Sequence, residues 1–230
     1  MSGMTLSPRL DDAWLVVPLF NEATVIEGVV RRARQTFPHV VCVDDASTDD
    51  SAARAEAAGA VVVRHPFNLG QGAALQTGMR YVLEATDATY LVTFDADGQH
   101  RVDDAAAMVE RARAEDLAVV FGSRFLDNRT RPGLLKKLVL KAAVFITNQQ
   151  TGMRLTDAHN GLRVIRRDAA SALDLRQNRM AHATEIVLQV GRTGLPWAEH
   201  PVHVLYTDYS KAKGQSLINS VNILVDTLLK

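Results

Sequence analysis

Over residues 1–120, short apolar runs alternate with longer stretches of mixed character. Residues 13–17, 40–43, 60–64, 89–94 and 118–122 are rich in valine and carry almost no polar alternation. Runs of this kind are strands buried on both faces. Residues 22–35, 49–58, 71–84 and 102–114 lie between them and read as helices. The alternation predicts an α/β domain, a Rossmann-like, mostly parallel sheet with helices on both faces. Ligands of such sheets bind at the carboxyl ends of the strands. The polar stretches that directly follow the apolar runs are therefore the places to look for chemistry.

The second half is less regular. Residues 134–149 read as a helix in which Lys136, Lys137 and Lys141 stand among Leu134, Leu135, Leu138, Val139, Leu140, Val144 and Phe145. A basic amphipathic helix can lie on a membrane surface, and a core helix with a lysine face has the same pattern. Residues 216–230 read as a terminal helix whose stripe of Leu217, Val221, Leu224 and Leu228 suits packing on the sheet or on another chain. There is no internal repeat, low-complexity tract or long linker, so one domain is expected over residues 1–230.

Composition narrows the class. With 230 residues, 47% of them hydrophobic, the chain can bury a full core. Its one cysteine, Cys42, lies inside an apolar run, which excludes disulfides and cysteine-rich zinc sites and makes a reducing, cytoplasmic setting the default. There is no uncharged apolar run of about 18 residues, so no transmembrane helix is expected, and the N-terminus lacks the pattern of a secretory signal. A formal net charge of zero hides an asymmetry. Residues 1–120 hold 18 acids and 10 bases, and residues 121–230 hold 8 acids and 16 bases. The acidic half suits a cation, and the basic half suits an anionic partner. Nucleic acid is not expected, because no helix-turn-helix, zinc-finger or aromatic RNA-binding pattern is present.

The strongest chemical signal is Asp95-Ala96-Asp97-Gly98-Gln99-His100, directly after an apolar run. Asp95 and Asp97 are two apart and share a side if the backbone stays extended. Two carboxylates this close repel unless a cation lies between them, and Mg²⁺ or Mn²⁺ takes such oxygens while leaving positions for water and phosphate. A surface turn is the alternative, since Asp-Gly is a common turn pair. Asp44-Asp45-Ala46-Ser47-Thr48-Asp49 follows the second run. A carboxylate there can accept from a base N–H or a ribose hydroxyl, and Ser47, Thr48 or Asp49 can cap the next helix. Asn68-Leu69-Gly70-Gln71-Gly72-Ala73-Ala74 opens a helix; its glycines suit either close phosphate approach or tight packing, and the glycine spacing is not a dinucleotide fingerprint. Arg124, after Gly122-Ser123, is placed to meet a phosphate. His182, Thr184 and Glu185 begin another helix, and residues 206–216 form a polar stretch that contains Lys211 and Lys213.

In their order and spacing these stretches, together with Val17-Pro18-Leu19-Phe20-Asn21-Glu22 and Lys213-Gly214-Gln215-Ser216, resemble the family 2 glycosyltransferases. Within that family the chain is similar to the dolichyl- and polyprenyl-phosphate sugar transferases. The resemblance runs from about Trp14 to Ser216. It implies a GT-A fold, a nucleoside-diphosphate sugar donor, a Mg²⁺ or Mn²⁺ cofactor, and inverting transfer to a polyprenyl phosphate. By the resemblance, Pro18, Phe20, Glu22, Val43 and Asp45 hold the nucleoside. Asp95, Ala96, Asp97 and Gln99 meet the metal and diphosphate, with Asp95, Asp97 and Gln99 as metal ligands and Asp97 the principal one. Arg124 and Lys213 balance the diphosphate charge, and Asp97, Arg124 and Lys213 form the catalytic set. Residues 1–122 then become the nucleotide-sugar half and residues 123–230 the acceptor and membrane-facing half.

Two departures stand out. Relatives often have Asp-Asp-Gly-Ser where this chain has Asp44-Asp45-Ala46-Ser47. Many also carry C-terminal membrane helices, so this chain resembles the short members. Those are expected to sit peripherally on the cytoplasmic membrane face, through a surface helix, a small membrane partner protein or a homo-oligomer. A lipid-phosphate acceptor needs no strong general base, whereas a saccharide hydroxyl does. Transfer to a saccharide and non-catalytic nucleotide-sugar binding stay as the other two readings. The intact Asp95, Asp97, Gln99 and Arg124 set argues against the second of them.

Overall fold

The computed structural model describes residues 9–127, 144, 148–149, 151–179 and 181–205. The helices read over residues 134–149 and 216–230, the basic residues Arg129, Arg131, Lys136, Lys137 and Lys141, and Lys213 in its polar stretch thus fall wholly or almost wholly outside the described residues.

The first half builds as its pattern predicts. β1 (Ala13–Leu19), α1 (Ile26–Ala33), β2 (His39–Asp44), α2 (Ser51–Ala57), β3 (Val61–Arg64), α3 (Gln71–Ala85), β4 (Tyr90–Thr93), α4 (Val102–Ala114) and β5 (Val119–Ser123) follow one another. The chain then adds β6 (Arg163–Arg166), a short α5 (Arg167–Ser171), α6 (His182–Thr193) and β7 (Trp197–Pro201). The strands form one sheet in the order β3-β2-β1-β4-β6-β5-β7. Every pairing is parallel except those of β6, which runs antiparallel to both β4 and β5.

Alternate strand residues feed two apolar layers, because successive side chains point to opposite faces. Leu15, Val17, Val40, Cys42, Val92 and Val120 pack with α1, α2 and α4 through Ile26, Val30, Ala55, Met108 and Val109. Val16, Val41, Leu91 and Val119 face α3, α5 and α6 through Leu75, Met79, Ala169, Ile186 and Val187. Gly78 lets α3 lie close on the sheet: a Cβ there would stand 2.4 Å from Cγ1 of Val16. Burial raises the Cys42 thiol to about 12, so it is inert packing.

Strand order reverses beside β1, since the chain runs outward through β2 to β3 and returns with β4 on the other flank. A crevice opens at that reversal, at the carboxyl ends of β1 and β4. Because β6 is antiparallel, its entry loop, residues 157–162, reaches the same edge. That reversed strand brings residues of the second half against Asp95.

The loops after β1 and β2 brace each other. Asn21 N–H donates to Oγ of Ser47 (2.9 Å), Glu22 N–H to Oγ of Ser51 (2.7 Å) and Thr48 N–H to Oδ1 of Asn21 (2.8 Å). The Glu22 carbonyl then accepts the N–H groups of both Val25 and Ile26 (3.0 Å each), a turn that precedes the helix, and α1 starts at Ile26 rather than at residue 22. Asp49 Oδ1 accepts the N–H of Ser51, the first residue of α2 (3.0 Å), but the N-cap is Asp50, whose side chain makes no capping bond, so none of Ser47, Thr48 and Asp49 is the cap foreseen in that stretch. Ala46 sits at φ 61°, a left-handed conformation that suits glycine. Ala46→Gly is therefore expected to stabilise the protein by about 1 kcal/mol, or roughly 2–4 °C in Tm, as strain relief outweighs the added freedom of the unfolded chain. Thermal denaturation checks this; a lower melting temperature would contradict it.

Candidate active site

A cleft of about 720 Å³ opens along the carboxyl edge of the sheet. Pro18, Phe20, Glu22, Asp45, Asp95, Ala96, Asp97, Gln99 and Arg124 all line it. Val43 does not: it is fully buried in β2, with Cγ2 against Gly78. Lys213 lies outside the described residues.

At one end, Asp45 organises the turn that precedes α3. Its Oδ1 accepts from Leu69 N–H (2.8 Å) and from His65 Nδ1 (2.8 Å), and its Oδ2 accepts from Gly70 N–H (2.7 Å). His65 Nε2 pairs with the Thr77 hydroxyl at 2.9 Å, so the imidazole is held at both nitrogens. Phe20 lines the cleft and is 44% exposed, an aromatic side chain of the kind that stacks on a flat ligand.

The glycines of that turn serve packing. Gly72 N–H donates to the Asn178 carbonyl (2.8 Å), and a Cβ on Gly70 or Gly72 would come within 2.2 Å of a backbone oxygen at Asn178 or Gln177. With Gly70 N–H given to Asp45 as well, two donors of the helix start are already used. Of the two sequence readings, close packing is the one the structure supports.

At the centre, both oxygens of Asp95 are held: Gln71 Nε2 donates to Oδ1 (3.1 Å) and His100 Nε2 to Oδ2 (2.9 Å). Burial works to raise its pKa, but the neighbouring His100, then His182 and Arg163, keep it below the ordinary carboxylate value. Gly161 touches this carboxylate, and a Cβ there would lie 2.5 Å from Oδ2. Among the described residues, Asp97 accepts only a backbone bond, from Gln99 N–H at 2.9 Å. Burial, and next the charge of Asp95, push its pKa up to about 6. A carboxylate with that much unrelieved repulsion fits a cation partner. Among the described residues, no group of three or more His, Cys, Asp or Glu could hold a metal. The protein thus offers two carboxylates and the Gln99 amide, leaving other positions to phosphate and water, which is how Mg²⁺ is usually held.

The other end is basic. Arg124 forms a two-point pair with Asp157, Nε to Oδ2 at 2.6 Å and one terminal nitrogen to Oδ1 at 2.9 Å. Its backbone N–H also donates to Oδ2 (3.1 Å). Asp157 is held in turn: Glu199 accepts the N–H groups of Thr156 and Asp157 (2.8 and 3.0 Å) and fixes the loop. Burial alone would raise the Asp157 pKa, and the Arg124 guanidinium holds it low. Arg163, 1% exposed, also lines the cleft and feels both Asp95 and Asp157. Two long bonds tie it to the carbonyls of Ala158 (3.4 Å) and Ala183 (3.3 Å), and its Nε has no partner among the described residues. Burial lowers its pKa to about 10, so it stays cationic at neutral pH. Burial also lowers His159, to about 4, so that ring is neutral. Arg179 and His182 complete this wall.

Asp157, His159, Asn160, Gly161, Arg163 and Arg179 are functional candidates that the sequence reading missed. The one available signal was the Asn160-Gly161 turn pair before β6.

With fold and site in place, the comparisons identify the class. The family described as Glycosyl transferase family 2 matches residues 14–174, and the chain belongs to it. It is a glycosyltransferase of GT-A fold, similar to the polyprenyl-phosphate sugar transferases. It is 32% identical to an uncharacterised protein, MJ1222, of Methanocaldococcus jannaschii, over 96% of this chain and 92% of that one. It is 28% identical to the UDP-N-acetylglucosamine–dolichyl-phosphate N-acetylglucosaminyltransferase of Methanococcus voltae, over 94% of each. It is 25% identical to the undecaprenyl-phosphate mannosyltransferase of Micrococcus luteus, over 89% and 90%. Among solved structures, glucosyl-3-phosphoglycerate synthase from Mycobacterium tuberculosis, crystallised with Mn²⁺, UDP-glucose and phosphoglyceric acid, superposes with a TM-score of 0.67. Its sequence identity is 20%, over 94% of this chain and 78% of that one. Among the described residues, no helix is long and apolar enough to cross a membrane.

Proposed function

We propose that the chain moves a sugar, with inversion at the anomeric carbon, from a nucleoside-diphosphate sugar to a polyprenyl phosphate, using Mg²⁺ or Mn²⁺. The observation that carries the acceptor is the basic wall. Arg124, Arg163 and Arg179 line the side of the cleft beyond the Asp95–Asp97 pair. Asp157, a carboxylate on that side, is committed to Arg124. His159, with a pKa near 4, is too weak a base to deprotonate a sugar hydroxyl. This wall suits an acceptor that arrives already charged. The relatives whose printed names include dolichyl or undecaprenyl phosphate support the same reading.

In the proposed arrangement the nucleoside lies over β1 and β2, between Phe20 and Asp45, with Pro18 and Glu22 beside it. The diphosphate lies over β4. A cation held there by Asp95, Asp97 and Gln99 would act as a Lewis acid that neutralises the leaving group. Arg124, set in orientation by Asp157, adds fixed positive charge where the leaving oxygen becomes anionic, and Lys213 is proposed to do the same. A phosphate oxygen of the acceptor bonds to the anomeric carbon from the opposite face as the carbon–oxygen bond to the diphosphate breaks. His100 and Gln71 keep the Asp95 carboxylate in place, and Gly161 lets it pack against the backbone.

An acceptor with a lipid tail requires approach to a membrane. We propose peripheral attachment through the basic and apolar residues of the segment 129–145, or through a membrane partner; each lysine or arginine near an anionic surface adds about 1 kcal/mol.

The reading is tested by offering purified protein a radiolabelled nucleotide sugar, Mn²⁺ or Mg²⁺ and a polyprenyl phosphate. Label is expected in the lipid phase, and none after chelation. Arg124→Ala should lower kcat about a hundredfold, as expected for loss of one aimed charge, with a smaller change in KM. A rise in KM at unchanged kcat would show that Arg124 only binds substrate.

A further inference from the structure

His182 opens α6 at the cleft wall, in contact distance of the start of α3: a Cβ on Gly72 would stand 2.9 Å from the His182 Cβ. The residue is 3% exposed. Its Nδ1 lies 2.7 Å from the Arg179 carbonyl, which can only accept, so Nδ1 carries the proton. Burial holds its pKa below the ordinary value, and the ring is neutral. The Nε2 lone pair therefore looks for a donor. No described residue provides one, and the atom is not among the orphaned polar atoms sealed inside the protein, so it opens on the cleft. His182 is not placed as a metal ligand, since no three His, Cys, Asp or Glu of the described residues converge.

The reactants limit what can meet that lone pair. A diphosphate and an ionised lipid phosphate have acceptors only. Ribose and base, in the proposed placement, lie at the far end by Asp45 and Phe20. What is left is the donor's sugar, attached to the diphosphate beside Asp95, which lines the same cleft as His182. We propose that Nε2 of His182 accepts a hydrogen bond from a hydroxyl of the donor's sugar and so helps select which sugar is transferred; this rests on the donor placement given above. A site built to bond a particular hydroxyl rejects analogues that lack it or aim it elsewhere, because the buried acceptor is then left unpaired.

Calorimetry in Mn²⁺ tests this without any acceptor. UDP, UDP-glucose, UDP-N-acetylglucosamine, GDP and GDP-mannose are titrated into wild type, His182→Ala and His182→Gln. Wild type is expected to bind at least one of the sugar nucleotides. In His182→Ala, affinity for that sugar nucleotide should fall about tenfold relative to the matching nucleoside diphosphate, the size of one hydrogen bond. Affinity for the diphosphate alone should stay within about twofold. His182→Gln, whose amide oxygen can accept the same bond, should recover part of the loss. An equal loss for both ligands would overturn the proposal and make His182 a structural or diphosphate residue. An unchanged ratio in His182→Ala would overturn it too. If wild type binds no sugar nucleotide at all, the donor placement itself falls and the proposal falls with it. Melting temperatures of the variants separate loss of fold from loss of contact.

Discussion

Asp97→Asn is expected to reduce sugar transfer about a thousandfold, on the order of 4 kcal/mol of lost stabilisation as the diphosphate leaves. Asp97 is the carboxylate of the pair whose oxygens are least committed within the protein, with one backbone bond against the two side-chain bonds of Asp95. The same substitution should not harm the fold. In chelator, Asp97 of the wild type has a pKa raised to about 6 by burial and by Asp95. A raised carboxylate pKa contributes stability at low pH that is lost as pH rises through the folded value. Metal-free Asp97→Asn should therefore match the wild type below about pH 4, become the more stable of the two as pH rises from there to about 6, and keep a constant lead above that. Urea denaturation across that range, with Mn²⁺-dependent activity in parallel, checks both halves. Full turnover by the folded variant would remove Asp97 from the chemistry.

The second large effect is on stability. Arg163→Leu is expected to cost about 3–5 kcal/mol, because it removes the cation shared by two carboxylates while leaving both in place. In a chain of this size that corresponds to a fall of roughly 10 °C or more in melting temperature. Arg163 is fully buried and attracted by both Asp95 and the Asp157 that holds Arg124, so its loss should also weaken nucleoside-diphosphate binding. Differential scanning calorimetry measures the first effect. A melting temperature within about 2 °C of wild type would show that the guanidinium's desolvation had cancelled its attraction to the two carboxylates.

Arg163 also marks where the sequence stopped being readable. The first five strands and the helices between them were legible because each strand is apolar on both faces and each helix repeats every three or four residues. β6 was not, because it begins and ends in arginine, Arg163 and Arg166, and a buried arginine looks like a solvated one. β7 was not, because Trp197–Pro201 is a half-buried edge strand containing Glu199, His200 and a proline. The same division holds in the site. Asp95 and Asp97 stand out because they interrupt the end of an apolar run. Asp157 does not, since its meaning comes from Arg124, 33 positions away. Gly70 and Gly72 were visible as glycines, but only the backbone at Gln177 and Asn178 shows that they serve packing. Ala46 shows the reverse: the departure from glycine was noted in the sequence, and its cost became visible only as a positive φ.

The central claim is that the acceptor arrives as an anion and needs no base from the protein. The most direct measurement offers one sugar nucleotide, with Mn²⁺, to a polyprenyl phosphate, to the matching polyprenol and to a free saccharide, and follows labelled product from each. Transfer to the phosphate alone is the predicted result. Transfer to the polyprenol or the saccharide at a comparable rate would contradict the claim and require a general base in the site.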